Sequence, residues 1–360
     1  MTFKSLPMKI RGRKQIEVPS PAFGTFTLDA WESNGDPQQA IQIIRTAIQA
    51  GCRHLDCAWE YNADVEIGEA IRQSGIPREE IFVTQKLWVN FCAPQNVEVA
   101  LDLALQRMKI DYVDLFLIHH PVAVKPTGDL RKAWINEGTT MRDQGCAADD
   151  QGNFIPDLEH CPAAVAALNG GKGSIIPTWN AMKALVRCGK SRSVGVLNFD
   201  VEHMQEILSV QSDDDDEVPL SCNQIECHPW FPNQRLVDFS LEHNILVMAY
   251  SPFASIKYEY GVFPPEPFKP YGTTLLRDET VQQIATKNGM TATQVLLSWA
   301  AQRSTLPIFR SCSPQHQQEN LVFKELPQQD MQALATLELD GRTGKSTAMM
   351  YFPEIKVYDW

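Results

Sequence analysis

Arg53-His54-Leu55-Asp56-Cys57-Ala58-Trp59-Glu60-Tyr61-Asn62 begins as a short apolar run and breaks abruptly into polar and aromatic residues. The run reads as a strand that ends at Asp56. Burying a lone carboxylate costs on the order of several kcal/mol, so an Asp at that place needs a partner or a task. Tyr61 follows far enough on for the chain to leave the strand and turn back toward the same rim. The competing reading is plain packing: an Asp that caps a helix and a Tyr that fills the core. The sequence on either side decides between the two.

Working outward, Asp36-Pro37 opens a helix, with Asp as N-cap and Pro at the first helical position. Ile41, Ile44 and Ile48 form its apolar stripe and Gly51 ends it. Before it, residues 22–26 read as a strand. Residues 8–10 and 15–18 flank Arg11-Gly12-Arg13-Lys14 as a β-hairpin. Downstream come a helix at 64–74, a strand at 81–86, a helix at 94–108 and a strand at 112–118 that ends on His119-His120-Pro121. Between 122 and 176 the rhythm breaks in a stretch rich in Gly, Asp, Pro and Ala. It reads as an elaborated loop insert with one short helix at 162–168.

The alternation then returns. Helices are expected at 177–188, 201–210, 232–243, 276–287, 291–302, 314–322 and 327–337. Strands are expected at 193–196, 221–225, 245–250 and 306–310. The acidic run 213–217 reads as a solvated loop. Residues 340–360 form an irregular tail. Eight short apolar strands, most followed by a helix, point to an α/β fold. The expectation is a (β/α)8 TIM barrel occupying 1–360 as one domain, with an N-terminal hairpin, the 122–176 insert and the 340–360 tail. No G-x-G-x-x-G follows the first strand, so a Rossmann site has no support.

A hydrophobic content of 44% with 21% charged residues suits a globular chain with a large core. The net charge of −12 argues against nucleic acid and anionic membranes as general partners. No stretch approaches a membrane span. Nine cysteines without framework spacing suit reduced thiols and a cytoplasmic location. Cys222, Cys227 and His228, and likewise Cys52, His54 and Cys57, lack a four-ligand pattern, so no metal site is expected. The expected assembly is a monomer or homodimer.

Barrel enzymes place their chemistry at strand C-terminal ends. Here three consecutive strands end on Asp56 with Tyr61, on Lys86 and on His119. Barrel geometry brings these four to one rim. Lys86 can pair with Asp56, which keeps both charged in a partly desolvated place. A neighbouring ammonium favours the phenolate and lowers the tyrosine pKa from about 10, which suits Tyr61 as a proton donor. His119 can orient a carbonyl toward the same hydroxyl. Such a site fits protonation of the oxyanion formed when hydride reaches a carbonyl carbon.

These residues resemble the aldo-keto reductase superfamily, in a pattern most similar to its fungal xylose-reductase-like branch. The resemblance rests on Asp56-Cys57-Ala58-Trp59-Glu60-Tyr61, Thr84-Gln85-Lys86-Leu87-Trp88 and Leu117-Ile118-His119-His120-Pro121. It continues in Gly195-Val196-Leu197-Asn198-Phe199, Asn223-Gln224-Ile225-Glu226-Cys227-His228-Pro229 and Ala249-Tyr250-Ser251-Pro252. It covers nearly the whole chain outside the insert and the far tail. It implies a catalytic tetrad of Asp56, Tyr61, Lys86 and His119, with NADPH across the barrel mouth. By the same resemblance, Asn198 and Gln224 bind the nicotinamide carboxamide and Tyr250 stacks under the ring. Ser251, Phe253 and Ser255 belong to the pyrophosphate loop. Arg310, Ser311, His316, Glu319 and Asn320 hold the adenosine 2′-phosphate end.

Four departures from the family pattern matter. Leu197 replaces a serine and removes one carboxamide hydrogen bond. Arg310 replaces a lysine and can grip a 2′-phosphate bidentately. His316 replaces a strong cation, so NADPH preference with weakened selectivity over NADH is expected. His120 replaces an aromatic residue and makes the pocket more polar. Ser313-Pro314 reads as a helix cap whose N-terminus is open to an anion. The resemblance places Phe26, Trp59, Trp88, His120, the insert and the tail residues Met349, Tyr351 and Phe352 around a small-molecule carbonyl substrate. That set suggests an aldehyde or ketone with a sizeable hydrophobic part, of the secondary-metabolite kind. Two other classes compete: a cofactor-binding regulatory subunit with little turnover, and a Schiff-base aldolase built on Lys86. The intact tetrad argues against the first. A carboxylate beside Lys86 argues against the second.

Overall fold

A computed structural model describes residues 5–26, 36–131, 145–212, 214, 216–254, 275–338 and 356. Strands β1 (Ser5–Ile10) and β2 (Lys14–Pro19) form the antiparallel hairpin. Eight parallel strands then close on themselves. They are β3 (Ala22–Gly24), β4 (His54–Asp56), β5 (Phe82–Leu87), β6 (Leu115–Ile118), β7 (Val194–Leu197), β8 (Cys222–Glu226), β9 (Leu246–Tyr250) and β10 (Thr305–Phe309). They neighbour one another in chain order, and β10 pairs with β3 to complete the barrel.

The strand period of two sorts every side chain. Phe82, Leu115, Leu117, Leu197, Cys222, Leu246, Met248, Leu306 and Ile308 fill the barrel interior, where Met8 and Val18 of the hairpin join them. The alternate residues Val83, Phe116, Val196, Ile225 and Val247 pack outward under the helices. The same parity puts Asp56, Lys86, Gln224 and Tyr250 on the inner face, one layer above this apolar plug. Gly195 is required where β7 crosses β8, because a Cβ there would lie 2.4 Å from the Cys222 carbonyl oxygen.

The helices match their sequence signals closely. In α1 (Pro37–Gln49) the Asp36 carboxylate accepts from Gln38 N at 2.9 Å. Helices α2 (Asp64–Ser74) and α3 (Pro94–Met108) pack together, and Gly68 permits the contact: a Cβ there would meet the Met108 carbonyl oxygen at 2.0 Å. Two strands start two or more residues later than expected. β4 begins at His54 and β6 at Leu115; just before β6 the Asp114 N–H still donates to the Val83 oxygen at 2.9 Å while its carboxylate pairs with Arg78 and Arg192.

The 122–176 insert carries structure of its own. Val124, Pro126 and Ala148 bridge Pro156, Cys146 and Phe154 in a narrow antiparallel ribbon. Helix α4 (Ala163–Leu168) follows, at the place expected for it. Next come α5 (Ile176–Arg187) and, after β7, α6 (Val201–Leu208). Glu206 of α6 pins the insert by accepting from Ala163 N at 2.7 Å, Ser174 Oγ at 2.6 Å and Ile175 N at 3.0 Å. Asn169 brackets the backbone of Lys356, donating to its oxygen at 2.7 Å and accepting from its nitrogen at 3.1 Å.

The remaining helices are α7 (Gln234–Glu242), α8 (Glu279–Asn288), α9 (Ala292–Gln302), α10 (Pro314–Asn320) and α11 (Gln328–Ala335). The acidic run does more than solvate a loop: Asp216 pairs with Arg11 of the hairpin at 2.6 Å and Glu217 with Lys183 at 3.1 Å. Among the described residues no helix is long and apolar enough to cross a membrane. Ser255, Met349, Tyr351 and Phe352 lie outside the described residues, as does the 340–360 tail apart from Lys356.

Candidate active site

The tetrad residues meet at the C-terminal mouth of the barrel, all strongly buried. The Lys86 ammonium donates to Asp56 Oδ2 at 2.8 Å, to the Cys57 carbonyl at 2.7 Å and to the Tyr61 hydroxyl at 3.3 Å. These contacts account for the three donors of an ammonium. The second Asp56 oxygen accepts from Gln224 Nε2 at 2.8 Å. The desolvated pair is thus fully bonded, the condition under which a buried ion pair survives.

Tyr61 reaches Lys86 because the chain turns sharply after β4. Residues Trp59–Tyr61 form one 3-10 turn, and Asn62 at φ 50° sends the chain into α2. The Lys86 nitrogen also lies 4.8 Å from the centre of the Tyr61 ring. Phe26 packs edge-on against that ring at 5.0 Å.

His119 follows β6, where its backbone N–H continues the ladder to the Leu87 oxygen at 3.1 Å. Its ring stands edge-on to Tyr61 at 6.0 Å and to Trp88 at 5.3 Å, and it stacks on His120 at 4.7 Å. Burial pushes its pKa well below the ordinary histidine value, and His120 and Lys86 push the same way. The imidazole is therefore neutral and carries one proton. Nδ1 is buried with no hydrogen-bond partner among the described residues, whereas Nε2 lies 3.7 Å from a Glu60 carboxylate oxygen.

The residues expected to hold a dinucleotide occupy β7 to β10, the other half of the same rim. Asn198 sits just past β7 at φ 62°. Its Oδ1 accepts from the Tyr250 hydroxyl at 2.9 Å, and its Nδ2 lies 3.3 Å from His120 Nδ1. Gln224 Nε2 donates to Asp56, so Gln224 also buttresses the Asp56–Lys86 pair. Ser251 adopts φ 50° after β9, and Phe253 is buried. Arg310 donates to the Phe26 carbonyl at 2.8 Å. Ser311 Oγ accepts from Ser313 N at 3.2 Å, and the Ser313 hydroxyl caps α10 by accepting from His316 N at 3.4 Å. His316 is exposed on that helix, and Glu319 accepts from Gln315 at 2.7 Å. Asn320 is buried, and its Oδ1 has no hydrogen-bond partner among the described residues.

Among the expected substrate residues, Trp88 and His120 line the His119 side. Trp59 is 1% exposed and packs edge-on against Phe91 at 5.2 Å, so its ring helps build the wall. Sequence reasoning left Glu60 unassigned; it is 3% exposed beside His119. The only signal for it was a charged residue inside an aromatic turn.

A closed (β/α)8 barrel with a buried lysine, aspartate, tyrosine and histidine gathered at its mouth defines the class of barrel enzymes. The pattern described as "Aldo/keto reductase family" matches residues 22–338. Aldehyde reductase YPR1 of Saccharomyces cerevisiae is 31% identical, over 93% of this chain and 92% of its own. A glycerol 2-dehydrogenase (NADP(+)) of the same yeast is 31% identical over 88% of this chain and 86% of its own. The solved structure of the aldose reductase from Schistosoma japonicum superposes with a TM-score of 0.73 at 27% identity, covering 98% of both chains. The chain belongs to the aldo/keto reductase family, and it is an NAD(P)H-dependent oxidoreductase.

Proposed function

We propose that the protein reduces an aldehyde or ketone to its alcohol with NADPH, and that Tyr61 donates the proton. The observation that carries this reading is the Lys86 ammonium held between Asp56 at 2.8 Å and the Tyr61 hydroxyl at 3.3 Å. When bound, NADPH supplies the hydride for the carbonyl carbon. The Tyr61 hydroxyl gives its proton to the carbonyl oxygen, and the Lys86 charge stabilises the tyrosinate left behind. Asp56 and Gln224 hold Lys86 in place. His119 orients the carbonyl oxygen without adding a second charge.

The cofactor half of the rim fits a dinucleotide. The buried, unpartnered Asn320 Oδ1 is an acceptor suited to an adenine amino group, and Tyr250 and Asn198 are prearranged by their mutual hydrogen bond. Arg310 is the group suited to a 2′-phosphate, and His316 is exposed on α10. NADPH is therefore preferred and NADH serves as a weaker second. Two relatives carry NADP(+) in their names. Phe26 and Trp88 suit a substrate with an apolar portion. All nine cysteines are free thiols, which supports a reducing, cytoplasmic setting.

The test is NADPH oxidation, followed by absorbance, with a panel of aldehydes and ketones, repeated with NADH. Turnover with a higher kcat/KM for NADPH is expected. Cofactor binding without turnover of any carbonyl would move the protein to the regulatory class, and a preference for NADH would overturn the cofactor assignment.

A further inference from the structure

Tyr61 and Lys86 sit on different segments, and their contact at 3.3 Å is longer than those the ammonium makes to Asp56 at 2.8 Å and to the Cys57 oxygen at 2.7 Å. Tyr61 is carried by the turn after β4. The turn's backbone bonds, from Tyr61 N to the Ala58 oxygen at 3.1 Å and from Asn62 N to the Trp59 oxygen at 3.3 Å, close within it and do not tie it to β5. A buried side-chain bridge does. Asp64 opens α2 shortly after Tyr61, and Gln85 precedes Lys86 on β5; both are 0% exposed. Gln85 Nε2 donates to Asp64 Oδ1 at 2.8 Å, and Gln85 Oε1 accepts from the Lys86 backbone N–H at 2.9 Å. The ladder explains why that N–H needs Gln85. With Asp56 beside Thr84 in parallel register, the next rung would run from Lys86 N to the Cys57 oxygen, but that oxygen receives the Lys86 ammonium. From α3, Arg107 donates to Asn62 Oδ1 at 3.2 Å and lies 3.7 Å from Asp64 Oδ2. Burial raises the Asp64 carboxyl from 3.8 to about 7, against the pull of Arg107 and Gln85 and with a small push from Glu66. Both protonation states are therefore present near neutral pH, and Oδ1 can accept from Gln85 in either.

We propose that Asp64 is a positioning residue for the reduction: through Gln85 it sets where the Tyr61 turn stands against β5, and with it the distance from the Tyr61 hydroxyl to the Lys86 ammonium. This rests on the reductase reading above. The bridge works by geometry and not by charge, because Gln85 needs an acceptor and not an anion. A misplacement of about 1 Å between reacting groups can cost on the order of 10²-fold in rate. Loss of the bridge is therefore read in the reduction step and not in cofactor binding.

Single-turnover NADPH oxidation with propanal tests this, with NADPH affinity measured in the same samples. The variants are Asp64→Ala and Asp64→Asn, each alone and combined with Tyr61→Phe. Asp64→Ala should slow the reduction step about tenfold and leave NADPH affinity unchanged. Asp64→Asn keeps an acceptor for Gln85 and should hold most of the wild-type rate. Combined with Tyr61→Phe, Asp64→Ala should slow the step no further, because the tyrosine through which it acts is gone. Should Asp64→Ala not fold, Gln85→Leu removes the same bridge from the strand side and carries the test. A wild-type reduction step in the folded variant, equal losses in Asp64→Ala and Asp64→Asn, or a full tenfold loss persisting beside Tyr61→Phe overturns the positioning role. Failure of the wild type to oxidise NADPH with any carbonyl instead sinks the reductase reading itself, and the positioning role with it.

Discussion

Asp56 and Asp114 are both buried aspartates paired with cations, at opposite ends of the barrel. Asp114, before β6 at the lower end, binds Arg78 at 2.9 Å, Arg192 at 2.7 Å and Val83 N at 2.9 Å. Arg78 passes the network on to the Ile81 and Tyr112 carbonyls, where it ends in backbone. Asp56, at the upper end, binds Gln224 and Lys86, and Lys86 passes the network on to the Tyr61 hydroxyl. A buried ion pair is therefore not itself a site. What separates the two is the terminus: one network closes on groups that cannot titrate, the other on a hydroxyl that can release a proton.

Lys86→Met should break the upper network most severely. Its kcat/KM should fall by about 10²- to 10⁴-fold. It should also lose about 3–5 kcal/mol of stability by leaving the Asp56 carboxylate buried without its counter-charge. Adding Asp56→Asn should recover much of that stability and none of the activity; a double variant with restored turnover would contradict the assignment. In the lower network, Asp114→Asn should cost about 1–3 kcal/mol in urea unfolding, discounted because the Arg192 side chain is 42% exposed. The kcat of the folded Asp114 variant should match the wild type, and a matching loss of kcat would erase the distinction between the two ends.

A third contrast is pH. His54 lies inside the barrel wall, with Nε2 2.8 Å from Thr84 Oγ1 and Nδ1 3.1 Å from the Pro19 oxygen. Burial pulls its pKa down from 6.5 to about 4. Between those values the unfolded chain takes up a proton that the native state refuses, so stability falls as pH drops through that window and is regained as it rises. At about 1.4 kcal/mol per unit, the full loss approaches ~3 kcal/mol. His54→Gln should flatten Tm against pH between about 6.5 and 4, and an unaltered slope would place the effect elsewhere. The smallest effect is expected at the insert. Glu206→Ala removes three hydrogen bonds and should speed amide exchange at Ala163 and Ile175 about tenfold. Turnover of small aldehydes should not change with it.

Much of this arrangement was legible in the sequence. Helices α2 and α3 were expected at 64–74 and 94–108, and the structure has them there, because Gly75 stops one and Pro94 starts the other. The tetrad was legible because strand parity puts Asp56 and Lys86 inward, and because three adjacent strands each end on a titratable residue. The remainder depends on contacts that no local pattern encodes. Gln224 donates to Asp56 across 168 residues of sequence. Gly68 looks like a poor helix residue until Met108 of α3 is placed against it. Glu60 has no assignable place in the sequence until the 3-10 turn folds it beside His119.

The central claim is that the upper network ends in a proton donor. Single-turnover NADPH oxidation by Tyr61→Phe, with cofactor affinity measured in the same samples, tests it most directly. The variant should bind NADPH as the wild type does, while its reduction step slows by about 100-fold or more. A reduction step as fast as the wild type's would contradict the account.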